Sequence, residues 1–292
     1  MNPFIAKRRA PRRRPLGRRL GDIGAGILLA LIVAWSFGPI LVAIISSFKH
    51  QKDIFTYVPT VIFTPTLDNY RVLINEWPSF WRSLGISTIT TLGAATLVVI
   101  VSLPAAYAYS RLARPAVALT ALFLIAVRMF PPIIITIPLF PLFTGLGMVD
   151  TPISIILVYA AFQVSMSVLL LKVFIDGVPR DIDEAAMLDG ATRLQTFIYV
   201  TLPQILPGIA AAIIFVTLFA WNDFLFAFLL TGTSAKTAPV QIAEMLGSVG
   251  EGGATWGMIF AASVVQLTPI LLFIWLIQKP LLRGFGRSAT AP

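Results

Sequence analysis

Residues 178–203 read Val-Pro-Arg-Asp-Ile-Asp-Glu-Ala-Ala-Met-Leu-Asp-Gly-Ala-Thr-Arg-Leu-Gln-Thr-Phe-Ile-Tyr-Val-Thr-Leu-Pro, a polar stretch between two apolar runs. Locally it is two short helices around a glycine. Asp181 precedes Glu184 by three residues, the spacing of a capping box with Asp in place of Ser or Thr. The helix it opens carries Ile182, Ala185, Ala186 and Leu188, and stops at Gly190, which suits a left-handed C-terminal position. Thr192 and Gln195 form a second capping box, and the second helix is expected to end before Pro203. Capping alone leaves two readings open: a knob for another protein, or an ordinary well-capped loop.

Outward from this segment the chain turns apolar. Of its 292 residues 57% are hydrophobic and 12% charged, and the mean hydropathy is +0.87. Soluble domains carry about 25% charged residues, so the composition points to a bilayer and excludes disorder. With no cysteine there is no disulfide scaffold and no thiolate zinc site, and the lone His50 cannot build a histidine site. Six stretches are long and apolar enough to cross about 30 Å of hydrocarbon: 20–45, 83–109, 116–143, 152–175, 204–231 and 256–277. The first is too long for the apolar part of a cleaved signal peptide. Sixteen of the 22 Lys and Arg fall in segments that are internal if both termini are cytoplasmic, which sets an N-in, C-in orientation. The basic arm, 1–19, is then a topology signal lying on anionic lipid and not a nucleic-acid grip. The remaining divisions are the outer loop 46–82, a five-span core 83–281 that includes the inner loop 176–203, and a cytoplasmic tail 282–292. In the third span Pro131, Pro132, Pro138 and Pro141 are expected to break the helix, which would turn its outer half toward the bundle interior.

There is no phosphate-binding G-x-x-x-x-G-K-[ST] loop and no G-x-S-x-G elbow, so a nucleotide-driven process needs another chain. Arg128 and Asp223 are ionisable groups inside spans, costing about 2.5–3.5 kcal/mol each at a helix centre, and are read as functional. Gln163, Trp221 and Asn222 extend this set, with Ser87, Thr90 and Thr91 as further hydroxyls. Such amides, hydroxyls and aromatic faces suit a sugar path. They equally suit helix-to-helix glue. If the helices tilt, Arg128 and Asp223 are expected to pair in at least one state.

Glu184-Ala185-Ala186 with Gly190, followed by Val200, Leu202 and Pro203, resembles the EAA loop of ABC-importer permeases, with Val200 where isoleucine is usual. Pro65–Tyr70 (PTLDNY), Leu103–Leu112 (LPAAYAYSRL), Met129–Pro132 (MFPP), Ala220–Leu225 (AWNDFL) and Trp256-Gly257 are similar to segments of the second permease of maltose-type importers. The resemblance covers nearly the whole chain after residue 20. It implies an all-α membrane protein of six transmembrane helices with an EAA coupling helix in the cytoplasmic loop between spans four and five. It implies ATPase coupling through Glu184, Ala185, Ala186, Asp189, Gly190 and Pro203. The implied function is non-enzymatic, the inward passage of a sugar across the bacterial inner membrane. Its implied partners are a second permease, two ATPase subunits that hold ATP and magnesium, and an external substrate-binding protein. The chain itself is expected to hold no cofactor. The loops 49–82 and 232–255 would face the binding protein, the latter bending at Gly247, Gly250, Gly252 and Gly253. A permease for another polar solute such as glycerol phosphate, or a secondary transporter, are the alternatives.

Overall fold

The structure, a computed structural model, describes residues 16–57, 62–112, 115–250 and 253–288, and among these there is no strand. Most of the arm 1–19 and the end of the tail lie outside the described residues.

Helix α1 (Leu16–Ser47) keeps Pro39 within it. Its apolar side chains point outward all round, Leu29 at 63% and Trp35 at 86% exposure, as expected of a lipid-facing helix. It packs along the last helix, α13 (Trp256–Ser288). Just beyond α1, helix α2 (Asp68–Glu76) is stapled to it. The Asn69 amide donates to Ser47 O and Lys49 O, both at 2.8 Å. Gly257 lies directly against this amide, since a Cβ there would fall 2.3 Å from Asn69 Oδ1. Asn69 and Gly257, from two motifs far apart in sequence, thus meet at one joint.

Helix α3 (Pro78–Arg111) is the central post. Its buried face is mostly small or polar: Ser83, Ser87, Thr90, Thr91, Ala94, Ala95, Ser102 and Ala106. Small side chains let helices approach closely in lipid, where apolar packing between helices has no solvent drive. Ser87 Oγ accepts from Ala238 N at 2.8 Å, and Thr90 bonds back to its own helix. The Ser87 and Thr90 hydroxyls are therefore engaged within the bundle, whereas Thr91 Oγ1 is buried with no hydrogen-bond partner.

The expected third span is two helices, α4 (Pro115–Met129) and α5 (Pro132–Gly145), bent by 95°. The break is confined to Phe130-Pro131. Pro132 opens α5, and Pro138 and Pro141 sit inside it without interrupting it. Nor does α5 turn inward within its own chain. Thr136 and Phe143 are buried, whereas Ile134, Ile137 and Leu142 are 55–65% exposed.

Helix α6 (Pro152–Asp176) lies against α3 along its length. The inner loop follows as α7 (Arg180–Leu188), α8 (Arg193–Gln195), a π-helical stretch (Thr196–Thr201) and α9 (Leu202–Gln204). The expected fifth span 204–231 is not continuous: α10 (Leu206–Asn222) stops at Asp223, and α11 (Leu225–Leu230) restarts after it. The outer loop after it is not a glycine hinge alone, because α12 (Ala238–Gly247) fills much of it and packs on α3 and α13. Helix α13 continues through residue 288, where a tail from 282 was expected. Among the described residues four helices are long and apolar enough to cross a membrane singly, and up to six crossings result if each bent pair is one span.

Candidate functional site

The inner loop is two-faced. Its first capping box is absent: α7 begins at Arg180 after Pro179, and no side chain caps it. This start places Asp181 and Asp183 in the first turn, where carboxylates favour the positive end of the helix dipole. Asp183 turns inward. Arg111 Nε reaches its carboxylate at 2.6 Å, the two side chains being 9% and 5% exposed, and Thr201 Oγ1 donates to it at 2.9 Å. Arg111 also donates to Val178 O at 3.0 Å, and Arg180 donates to Ser110 O at 2.9 Å. Ser110 in turn donates to Asp176 at 2.6 Å. One network thereby ties α7 to the C-terminal ends of α3 and α6.

Gly190 ends α7 at φ +92°, and the second capping box is present: Thr192 Oγ1 accepts from Gln195 N, and Gln195 Oε1 accepts from Thr192 N at 2.8 Å. The chain then winds on through Pro203, which sits inside α9, so the expected stop before Pro203 does not occur. Glu184, Ala185, Asp189 and Gly190 are exposed, and Ala186 is half-buried. Leu188 at 89% and Tyr199 at 75% exposure add apolar surface to the same element. A rigid base and an exposed tip of mixed acid and hydrocarbon can transmit a push from a docked partner to the bundle. Sequence reasoning missed Arg111, Asp183 and Thr201. Their only local signal was a carboxylate beside Glu184, on a helix whose other face had to be buried.

The membrane residues form two separate polar sites joined by α6. Arg128 donates to Gln163 Oε1 at 2.8 Å and to Phe162 O at 3.3 Å, and stands 4.8 Å over the Phe162 ring. One turn away, Tyr159 Oη donates to Asp223 Oδ2 at 3.0 Å. That carboxylate also accepts from Phe226 N at 3.1 Å and Ala227 N at 3.3 Å, capping α11 across the break. The expected Arg128–Asp223 pair is not formed here. Trp221 is buried with its indole donating to Gln266 O at 3.0 Å, so it joins α10 to α13 and presents no open ring face. Asn222 bonds to Leu218 O of its own helix at 2.8 Å. With no shared partner, Arg128→Met and Asp223→Asn should be additive in a thermal-unfolding cycle to within about 0.5 kcal/mol. A coupling above about 1 kcal/mol would show that another state pairs them.

Residues 99–279 match the family described as "Binding-protein-dependent transport system inner membrane component". The chain is 36% identical over 280 residues to the trehalose/maltose transport system permease protein MalG of Thermococcus litoralis, covering 94% of this chain and 97% of that protein. It is 34% identical over 269 residues to the trehalose transport system permease protein SugB of Mycobacterium tuberculosis, covering 90% and 95%. In fold it is similar to a chain in the crystal structure of a bacterial ABC transporter involved in the import of the acidic polysaccharide alginate. The TM-score is 0.78 at 19% identity, over 92% of this chain and 99% of that one. Helical architecture, a capped inner loop and a family match over most of the chain agree: this chain belongs to the inner membrane components of binding-protein-dependent transport systems.

Proposed function

We propose that the chain is one of two permease subunits of an ATP-driven importer that carries a sugar inward across the cytoplasmic membrane. The single observation that carries the mechanism is the inner loop, locked at Asp183 to Arg111 and exposed at Glu184 and Leu188. In this reading one of two ATPase subunits, which hold ATP and magnesium, seats α7 through Glu184, Ala185, Ala186 and Asp189. Gly190 makes the turn and Pro203 stands at the return into the membrane. Closure of the ATPases is a rigid-body movement. The Arg111–Asp183 tie passes it to α3, and through α3 to α6 and α10, as rocking between inward and outward states. Six crossings with both termini inside follow if α4–α5 and the loop-to-α10 pair each count as one span, which keeps the basic segments cytoplasmic. The exposed apolar side of α5 is where the second permease would pack, since broken backbone at membrane depth needs cover by protein. A sugar is favoured because relatives that match nearly the full chain are named for trehalose and maltose.

The test is uptake. The chain is co-reconstituted with a second permease, the ATPases and a binding protein. ATP-dependent accumulation of labelled trehalose or maltose, abolished by omitting the binding protein, is the expected result. Assembled proteoliposomes that hydrolyse ATP on addition of the binding protein but accumulate none of a panel of sugars would overturn the sugar assignment.

A further inference from the structure

Two breaks in the apolar helices meet on one turn of α6. The first lies at Phe130-Pro131, between α4 and α5. The second lies at Asp223-Phe224, between α10 and α11. Tyr159 holds the second through Asp223, and Phe162 and Gln163 hold the first through Arg128. Interrupted backbone at membrane depth persists only where protein buries it or where it lines a water-filled cavity. Two breaks that share one turn of a third helix therefore point to a solute path beside that turn.

Arg128 is set to serve such a path. Its Nη1 is spent on Gln163 Oε1 at 2.8 Å and Phe162 O at 3.3 Å. Gln163 is 3% exposed, and its Nε2 donates to Phe215 O of α10 at 3.4 Å. A flipped amide would set donor against donor and acceptor against acceptor, so its orientation is fixed. The Phe162 ring under the guanidinium stacks on Phe219 at 5.4 Å, which steadies the platform. The side-on donor pair, Nε and Nη2, is left over. Arg128 is exposed, and among the described residues no acceptor reaches these two nitrogens and no carboxylate pairs with the group. A guanidinium facing hydrocarbon is costly, so water or a polar solute must meet it. The nearby rings are packed on one another, Phe162 on Phe219 and Tyr159 edge-on to Phe226, which leaves hydrogen bonding as the means of recognition. The planar fork of Nε and Nη2 fits two adjacent oxygens, such as neighbouring hydroxyls of a sugar ring.

We propose that Arg128 is the side chain of this subunit that hydrogen-bonds the sugar in transit, through neighbouring hydroxyls, with Gln163 as its positioning residue. The proposal rests on the sugar-permease reading above and narrows it to one contact. Trp221 is not part of that contact, since its indole N–H is spent on Gln266 O.

The test uses the complete importer in proteoliposomes, with the same binding protein throughout. Initial uptake of labelled trehalose is divided by that of each monodeoxy analogue. The binding protein's own preference enters every ratio equally and cancels between permease variants. Arg128→Met should lower the preference for trehalose over the analogue that lacks the contacted hydroxyl by about tenfold. Arg128→Lys keeps a charge beside Phe162 but not the planar fork, so it should assemble and still lose most of the preference. Gln163→Met should lower it less, and should add nothing to Arg128→Met. Slower uptake of every sugar, with all preferences unchanged in the Arg128 variants that assemble, overturns the proposal, because Arg128 then serves packing or the second permease. A wild-type complex whose ATP hydrolysis responds to the binding protein but which accumulates none of these sugars removes the sugar reading and this contact with it.

Discussion

Arg111→Met should destabilise the chain by about 3–5 kcal/mol, because it strands the buried Asp183 carboxylate. Asp183→Leu should do the same to the Arg111 guanidinium, at equal or smaller cost, since Arg111 keeps Val178 O and Ser110 Oγ as acceptors. The double variant should recover much of the loss, as replacing a buried pair by apolar side chains is often close to neutral. Thermal unfolding of the detergent-solubilised chain measures this. The functional readout should differ: the double variant regains stability while ATP-driven uptake stays low, because the buried ion pair is gone and only the Arg180 hydrogen bond to Ser110 O still ties α7 to α3. If the double variant transports normally, the tie is merely a packing element.

Gly190→Val should disable uptake while leaving the spans inserted. The residue sits at φ +92°, where a β-branched side chain costs about 1–3 kcal/mol. No atom lies within 4 Å of an added Cβ, so the cost is backbone strain alone and not a clash. If that strain is relieved by opening the turn, ATPase docking should weaken by about ten- to hundredfold. Gly190→Asn, which tolerates the left-handed region, should lose much less. Glu184→Lys leaves the turn intact and reverses the charge of the exposed tip, so it should lose ATPase association with no loss of chain stability. Normal association and uptake in both Gly190→Val and Glu184→Lys would remove the coupling role of α7.

What the sequence made legible was local. The turn at Gly190 and the Thr192–Gln195 box depend on neighbours within four residues, and both are present. Composition marked the apolar stretches, of which four are single helices long enough to cross a membrane among the described residues, while the others are bent pairs. Long-range partners were not legible. Nothing near Asp183 indicates that it meets Arg111, 72 residues away. Asp223 was read as a path residue because a carboxylate inside a span is costly. Its cost is met by Tyr159 and two backbone amides of α11, and that cap is what divides the span. Proline counting overstated the break in the third span. Only Pro131 falls where the chain turns, and α5 accommodates Pro138 and Pro141. Glycine counting likewise concealed α12, whose buried Ala238, Val240 and Met245 give it one apolar face.

The central claim is that α7 seats in an ATPase subunit. Because the chain has no cysteine, a single Ala185→Cys substitution gives one attachment point on the exposed face of α7. A maleimide photo-crosslinker attached there, activated in the assembled and transporting complex, should transfer its label to an ATPase subunit, whereas the same probe on Thr233→Cys, in the loop ahead of α12, should not. Label found only on lipid or on this chain, in a complex that still couples ATP to uptake, would contradict the account.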